Sequence, residues 1–508
     1  MKIRLRTRPS SDTAGPGAPS GDLNRRSVHG ATVTFVAQIL RFVVSFATQA
    51  LLAHLILPAE FGLIAMVAPI ISLVLMLGQM GLLEATIQRQ EISQAELSAL
   101  FWVNMLASVV LAAVLAASAP LVARLYGEPA TVPITVSLSF LVILNGVAAQ
   151  QMALLNRGMR FGRLAVIEVA ATLLSALTGL ALAWDGFGVW SLVAMQAANS
   201  GVTALLAWIM CGWVPGRPRR QRGLSGLLRF GGDVTGFNVM DYLAYSLDNV
   251  LIGATNSAAS LGLYDRAFKL AFQPLLLAMT PFTRVAVPLL SRQQDAPGRY
   301  ARSYVRLLQS TSLAIVPGLL VAIVLSNEIV ILLLGRPWAK AGPILAWLAV
   351  ASLATPLLIS TSWLFISQNR AREQLRWGSL GAATRILAFV VGLPWGPLGV
   401  AVAGAIANCL VQAPLLCWAA TATGPIRRRR LLREGYPFVV AALATAIALR
   451  LIQNSALWHG VGYGFPGLIA MGVLSYAVYT FVLACLPQGY RVLREIWQLR
   501  AAFRRRAA

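Results

Sequence analysis

Fourteen long apolar runs cross this 508-residue chain, and its basic residues fall almost entirely into alternate gaps between them. No single soluble core holds so much apolar sequence: 57% of residues are hydrophobic and 12% charged. The runs lie at 31–53, 61–83, 98–120, 133–155, 164–184, 187–212 and 230–254, then 266–290, 304–327, 343–367, 376–394, 397–419, 436–452 and 464–486. Crossing a bilayer takes roughly 20 apolar residues in a helix. Lipid offers the backbone no partners, which leaves helices or closed barrels as spanning forms. These runs are continuous rather than alternating, so the expected fold is all-α: a polytopic membrane protein with about 14 transmembrane helices.

The charges set the direction. The odd gaps are short and hold only Arg124, Arg336, Lys340 and Arg450 as basic residues. The even gaps carry Arg157, Arg160 and Arg163, then Arg217 through Arg229, Arg292 through Arg306, Arg370 through Arg376, and Arg427 to Arg430 with Arg433. Short basic loops stay on the cytoplasmic side, so these gaps and both termini are expected there. The net charge of +24 is then mostly a topology signal. Arginines spread over every inner loop argue against nucleic acid and for anionic inner-leaflet lipids as their partner.

The expected organisation is a disordered basic cytoplasmic arm at 1–26, an N-lobe of helices 1–6 at 27–212 and a cytoplasmic linker at 213–229. A C-lobe of helices 7–12 follows at 230–420, then two appended helices at 421–487. The tail at 488–508 places Leu493, Ile496, Trp497 and Phe503 at helical spacing among arginines. It reads either as an interfacial amphipathic helix or as a solvated basic tail. No cysteine pairing, metal cluster, cofactor motif or nucleotide loop stands out, and no residue is assigned a catalytic role.

An internal repeat with an offset of 200 supports two lobes. Leu51 through Leu63 aligns without a gap with Leu251 through Leu263. Trp184-Asp185-Gly186-Phe187-Gly188-Val189 is echoed by Trp395-Gly396-Pro397-Leu398-Gly399-Val400. Six helices per copy is an even number, so both copies enter from the same side. Such parallel repeats suit alternating access around a central cavity.

Polar residues inside the spans name candidate sites, because a central Arg or Asp costs about 2.5–3.5 kcal/mol to insert. Gln38, Arg41, Ser45 and Gln49 share a face of span 1; Asn238, Asp241, Tyr245 and Asp248 share a face of span 7, with Asn249 beside it. Arg266, Lys269, Gln273, Thr280 and Arg284 line span 8, and Arg385 sits within span 11. One reading is a hydrated cavity whose cations, Arg41, Arg266, Lys269, Arg284 and Arg385, attract a pyrophosphate-like anion. The other is internal pairing, such as Arg41 with Asp241 or Asp248. Pro274, Pro281 and Pro288 recur every seven residues and are expected to bend span 8.

The stretches Phe61-Gly62-Leu63, Gly81 through Arg89 with Glu84, and Leu97 through Asn104 resemble the polysaccharide transporter family. So do Leu247 through Gly253, with Asp248, and Leu261 through Ala267, with Arg266. These are the lipopolysaccharide and exopolysaccharide flippases of the multidrug/oligosaccharidyl-lipid/polysaccharide exporter superfamily, and the resemblance covers about 27–490. It implies two lobes of helices that carry undecaprenyl-pyrophosphate-linked oligosaccharide across the bacterial inner membrane. Polymerase and chain-length proteins of the same pathway are implied as partners, and Asp241, Asp248 and Glu84 fit coupling or lobe pairing. Open alternatives are a membrane polysaccharide polymerase or ligase, a drug-efflux exporter, and a peptidoglycan-precursor exporter. The outer gaps are too short for the folded domain that a polymerase usually needs.

Overall fold

The computed structural model describes residues 20–79, 93–217, 242, 246–455, 464–491, 493 and 494. Its elements, among these residues, are helices. They run α1 Ser20–Leu55, α2 Pro58–Gln79, α3 Gln94–Tyr126, α4 Thr131–Arg157, α5 Phe161–Trp184 and α6 Val189–Cys211. Helix α7 covers 246–255. Then come α8 Ala258–Ser291, α9 Pro297–Val324, α10 Ser326–Leu334, α11 Ala341–Leu353 and α12 Thr355–Ser367. The chain ends with α13 Ala371–Gly392, α14 Gly396–Ile406, α15 Ala413–Ala422, α16 Arg428–Gln453 and α17 Phe465–Cys485.

The all-helical membrane architecture is as expected, and the exact count of fourteen is not confirmed. Twelve helical stretches among the described residues are long and apolar enough to cross a membrane. The expected fourteen differ for identifiable reasons. The spans at 376–394 and 397–419 run on as one stretch, Arg372–Ala422, across the short 3-10 turn Leu393–Trp395. Most of the expected span 230–254 lies outside the described residues. So does the arm at 1–19; α1 begins at Ser20, inside the segment read as arm. The tail beyond 494 is likewise outside them.

The ends of the helices follow local chemistry. Ser93 opens α3 with a capping box, its hydroxyl accepting from the Glu96 amide while the Glu96 carboxylate accepts from the Ser93 amide. Gly127, at φ +66, closes that helix. The long span read at 343–367 is broken into α11 and α12 where Pro356 removes a donor.

The chain divides into two compact units, Met1–Ala254 and Thr255–Ala508. Within the first, α2 packs on α3, α4 and α6; α3 on α4; α4 on α6; and α5 on α6 and α1. Within the second, α8 packs on α9, α11 and α14; α9 on α11; α11 on α14; and α13 on α14. Apart from the packing of α5 on α1, these are the same pairings shifted by one repeat. The turns agree as well. In the first unit Glu60, just after α1, accepts from the amide of Val189 at the start of α6, 3.2 Å away. In the second, Asn256, just after α7, lies against Gly396 at the start of α14. Both sequence echoes therefore mark places where the turn after a lobe's first helix meets the start of its sixth.

Helices α16 and α17 pack on each other and on α9. Gln453 of α16 donates to Glu328 of α10 at 2.7 Å, which ties this pair to the second unit. The second unit's core holds buried Trp338, Trp363, Tyr300 and Tyr304. The two tyrosine hydroxyls are not stranded: Tyr300 pairs with Ser367 at 2.6 Å and Tyr304 with Ser360 at 3.0 Å.

Candidate functional site

In the first unit the polar stripe of α1 faces α5. Arg41 donates to Glu168 at 2.5 Å, with the two side chains 42% and 36% exposed. Of the two partners considered from the sequence, Asp241 lies outside the described residues, and Asp248 is placed on α7. One turn along α1, Ser45 and Gln49 open onto a cavity of about 290 Å³, closed on the other sides by Thr172 and Ser175 of α5 and Gln196 and Asn199 of α6. A second cavity of about 220 Å³ lies beside it, lined by Asn104, Ser108 and Gln150. Leu75 and Asn145 line both. Among the described residues, no ionisable side chain lines either one. Gln38, one turn before Arg41, is half-buried on α1.

The second unit concentrates charge on α8. Asp265 accepts from Arg266 at 3.0 Å and from Lys269 at 2.8 Å through the same oxygen. The Asp265 and Arg266 side chains are 6% and 7% exposed, and Lys269 reaches outward at 37%. The repeat shows what is special here. The positions equivalent to 265, 266 and 269 in the first unit are Ala65, Met66 and Pro69, and the first two are buried apolar core. The fold holds without charge at this site, so the cluster is an addition specific to the second unit.

Further along α8, Gln273 and Arg284 are exposed. Arg284 stands 18 residues beyond Arg266, roughly 27 Å at 1.5 Å per residue. The cations of this helix therefore form a buried group near one end and a free-standing residue near the other. Arg385 of α13 is half-buried. It lies on the helix that packs against a π turn at Ala407–Gln412, where the Asn408 side-chain oxygen is buried with no hydrogen-bond partner. Single π turns inside helices recur at functional sites. On α7, Asp248 is 4% exposed and accepts from the Asn249 amide at 2.8 Å. Glu84, Asn238, Asp241 and Tyr245 lie outside the described residues.

The structure thus brings Ser45 and Gln49 onto one cavity, with Arg41 one turn away on the same helix, and Arg266 and Lys269 around one carboxylate. The sequence pattern did not single out Glu168, Asp265, Asn104, Gln150 or the π turn. Glu168 falls seven residues before Ser175 on one face of α5, a helical spacing that a polar-face search of that span would have found.

Two lobes with equivalent helix pairings, polar and charged groups inside membrane-length helices, and an added helix pair define a multi-pass membrane transporter fold. Solved structures share it. The lipid II flippase MurJ in an inward closed conformation superimposes with a TM-score of 0.70 at 14% identity, over 90% of this chain and 99% of that one. An inward-facing multidrug resistance MATE family transporter of the MOP superfamily gives 0.59 at 14% identity, over 77% of this chain and 96% of that one. The family model described as "Polysaccharide biosynthesis protein" matches residues 51–343, and the chain belongs to that family. Among its relatives is the lipopolysaccharide biosynthesis protein WzxC of Escherichia coli (strain K12), 25% identical over 77% of this chain and 79% of that protein. Another is the succinoglycan biosynthesis transport protein ExoT of Rhizobium meliloti (strain 1021), 24% identical over 92% and 94%. The resemblance read from the sequence is therefore borne out.

Proposed function

We propose that this protein is a flippase that moves undecaprenyl-pyrophosphate-linked oligosaccharide from the cytoplasmic to the outer leaflet of a bacterial inner membrane, for exopolysaccharide or lipopolysaccharide synthesis. The observation that carries this reading is the family match over 51–343, in a chain whose two lobes keep polar and cationic groups within the membrane. Named polysaccharide-pathway relatives that align over most of their length support it.

In this reading the cations Arg41, Lys269, Arg284 and Arg385, with Arg266 behind Lys269, draw the pyrophosphate in by charge-assisted hydrogen bonds. Gln38 and Gln49 of α1, with Asn249 and Gln273, give the glycan neutral polar partners. The polyprenyl tail stays in lipid, and alternating access carries the headgroup across. Membrane potential supplies bias, since one charge crossing 100 mV is worth about 2.3 kcal/mol. Asp248 is assigned the coupling charge, with Asp241 and Glu84 as further acids available for it. Both termini and the basic gaps face the cytoplasm, where their arginines meet anionic lipid.

Deletion of the gene in a producing strain tests the function. The flippase reading expects loss of extracellular polymer and accumulation of its lipid-linked repeat unit, with both reversed by the wild-type gene. Drug sensitivity or lysis with normal polymer would replace it by an efflux or peptidoglycan-precursor role.

A further inference from the structure

We infer that the neutral cavities inside the first unit form a glycosyl subsite, which takes the sugar rings nearest the phosphate while Arg41 at its mouth takes the phosphate itself. This inference rests on the lipid-linked glycan reading given above.

The lining chemistry selects the ligand class. Among the described residues, side-chain amides and hydroxyls face both cavities, and no carboxylate, ammonium or guanidinium does. An ion entering there would lose its hydration to neutral groups only. A sugar ring loses little, because each hydroxyl both donates and accepts, as the amides do. The cavities have room for it. At about 290 and 220 Å³, with Leu75 and Asn145 in the walls of both, they add up to the size range of small-molecule pockets.

Two buried groups are left waiting. The Asn104 side-chain oxygen and the Gln150 side-chain nitrogen have no hydrogen-bond partner, although their residues are only 3% and 4% exposed. Both residues line the smaller cavity. Leaving a buried polar group unpaired costs about 1–3 kcal/mol. Here one orphan is an acceptor and the other a donor, the pair that a hydroxyl-bearing ring satisfies.

The mouth carries the complementary charge. Arg41 stands one turn from Ser45 on α1, and Glu168 one turn from Thr172 on α5, so the ion pair spans the same two helices that flank the larger cavity. The Arg41 Nε is buried without a partner while a terminal nitrogen rests on Glu168. A phosphate arriving with its sugar in the cavity meets the exposed part of the Arg41 side chain first. It then competes with Glu168 for the rest of the guanidinium, whose fork suits a phosphate bidentately. The ion pair is thus a latch that the correct headgroup opens. A phosphate with no sugar, or a sugar with no phosphate, satisfies only one half of the arrangement.

The test uses the full-length protein in lipid nanodiscs and four probes: undecaprenol, undecaprenyl pyrophosphate, and that pyrophosphate carrying either one hexose or one hexuronic acid. The wild type is expected to bind the hexose lipid about tenfold more tightly than the sugar-free pyrophosphate, the worth of one or two net hydrogen bonds. The hexuronic acid is expected to give no such gain. Gln150→Leu and Asn199→Leu should each remove the gain and leave affinity for undecaprenyl pyrophosphate unchanged. Equal binding of the hexose and sugar-free lipids by the wild type overturns the subsite, whether or not either variant folds, and leaves the flippase reading standing. Equal binding of undecaprenol and undecaprenyl pyrophosphate overturns the flippase reading itself.

Discussion

Arg41 and Glu168 are close enough for a strong hydrogen bond, yet each is more than a third exposed. Exposed ion pairs contribute about 0–1 kcal/mol to stability. Arg41→Ala is therefore expected to leave protein abundance and melting temperature near wild type while reducing polymer export at least about tenfold, as for a lost charge-assisted contact. Quantifying surface polymer beside immunoblots of the membrane fraction checks both halves. The Asp265 cluster behaves oppositely. Removing one partner from a buried ion pair costs about 3–5 kcal/mol, because a charge is left without compensation. Asp265→Asn should thus lower the melting temperature and the yield sharply. The first unit shows the remedy, since Ala65 and Met66 fill the equivalent places. The double variant D265A/R266M should recover folding in a thermal-shift assay but not export; full recovery of export would make the cluster purely structural. These residues were unequally legible in the sequence. Polar spacing on one helix exposed the face of Gln38, Arg41, Ser45 and Gln49, but a face does not name its partner. Asp265 and Arg266 are adjacent, and adjacent helix positions point apart. Only the reach of the long arginine side chain, visible in three dimensions, brings them together.

At the level of elements, Gly188 and Gly399 show why the repeat left its trace in the sequence. Gly188 has φ +53, and a Cβ there would run into the Glu60 carboxylate that receives the amide of Val189. In the second unit a Cβ on Gly399 would strike the backbone of Gly392. Gly188→Ala is expected to cost about 1–3 kcal/mol in backbone strain, read as a lower melting temperature, and to loosen the contact between the α1–α2 turn and α6. An unchanged melting point would contradict the equivalence drawn between the two turns. Helix α8 continues from Ala258 to Ser291 through Pro274, Pro281 and Pro288. Membrane helices tolerate such prolines where neighbouring groups satisfy the freed carbonyls. Pro281→Ala should therefore leave insertion intact and slow export, a rate effect seen in the time course of polymer accumulation. Helices and the turns between them were readable because apolar runs and glycine turns are local signals. The break at Pro356 was also written in the chain, though the run was read as continuous. The π turn at Ala407–Gln412 was not readable, since one extra residue in an apolar helix leaves no mark on hydropathy.

For the molecule as a whole, the alternation of basic and neutral gaps predicts which loops a reagent can reach. In a background lacking Cys211, Cys409, Cys417 and Cys485, a cysteine at Asp185 or Trp395 should react with a membrane-impermeant maleimide added to spheroplasts. A cysteine at Gly158 or Gln293 should react only after lysis. The reverse pattern would invert the topology and, with it, the direction of transport. The spans and their membrane setting were legible at this scale because a bilayer imposes one length and one polarity on every span. The partner of each polar face was not, because it depends on which helices lie side by side. The most direct test is translocation itself. Purified protein is reconstituted into liposomes together with the lipid-linked oligosaccharide extracted from a producing strain, and the fraction of sugar reached by an external glycosidase or lectin is followed with time. The flippase account predicts that glycan first sealed inside becomes accessible in protein-containing vesicles, and more slowly with Arg41→Ala. Accessibility no faster than in protein-free liposomes would contradict it.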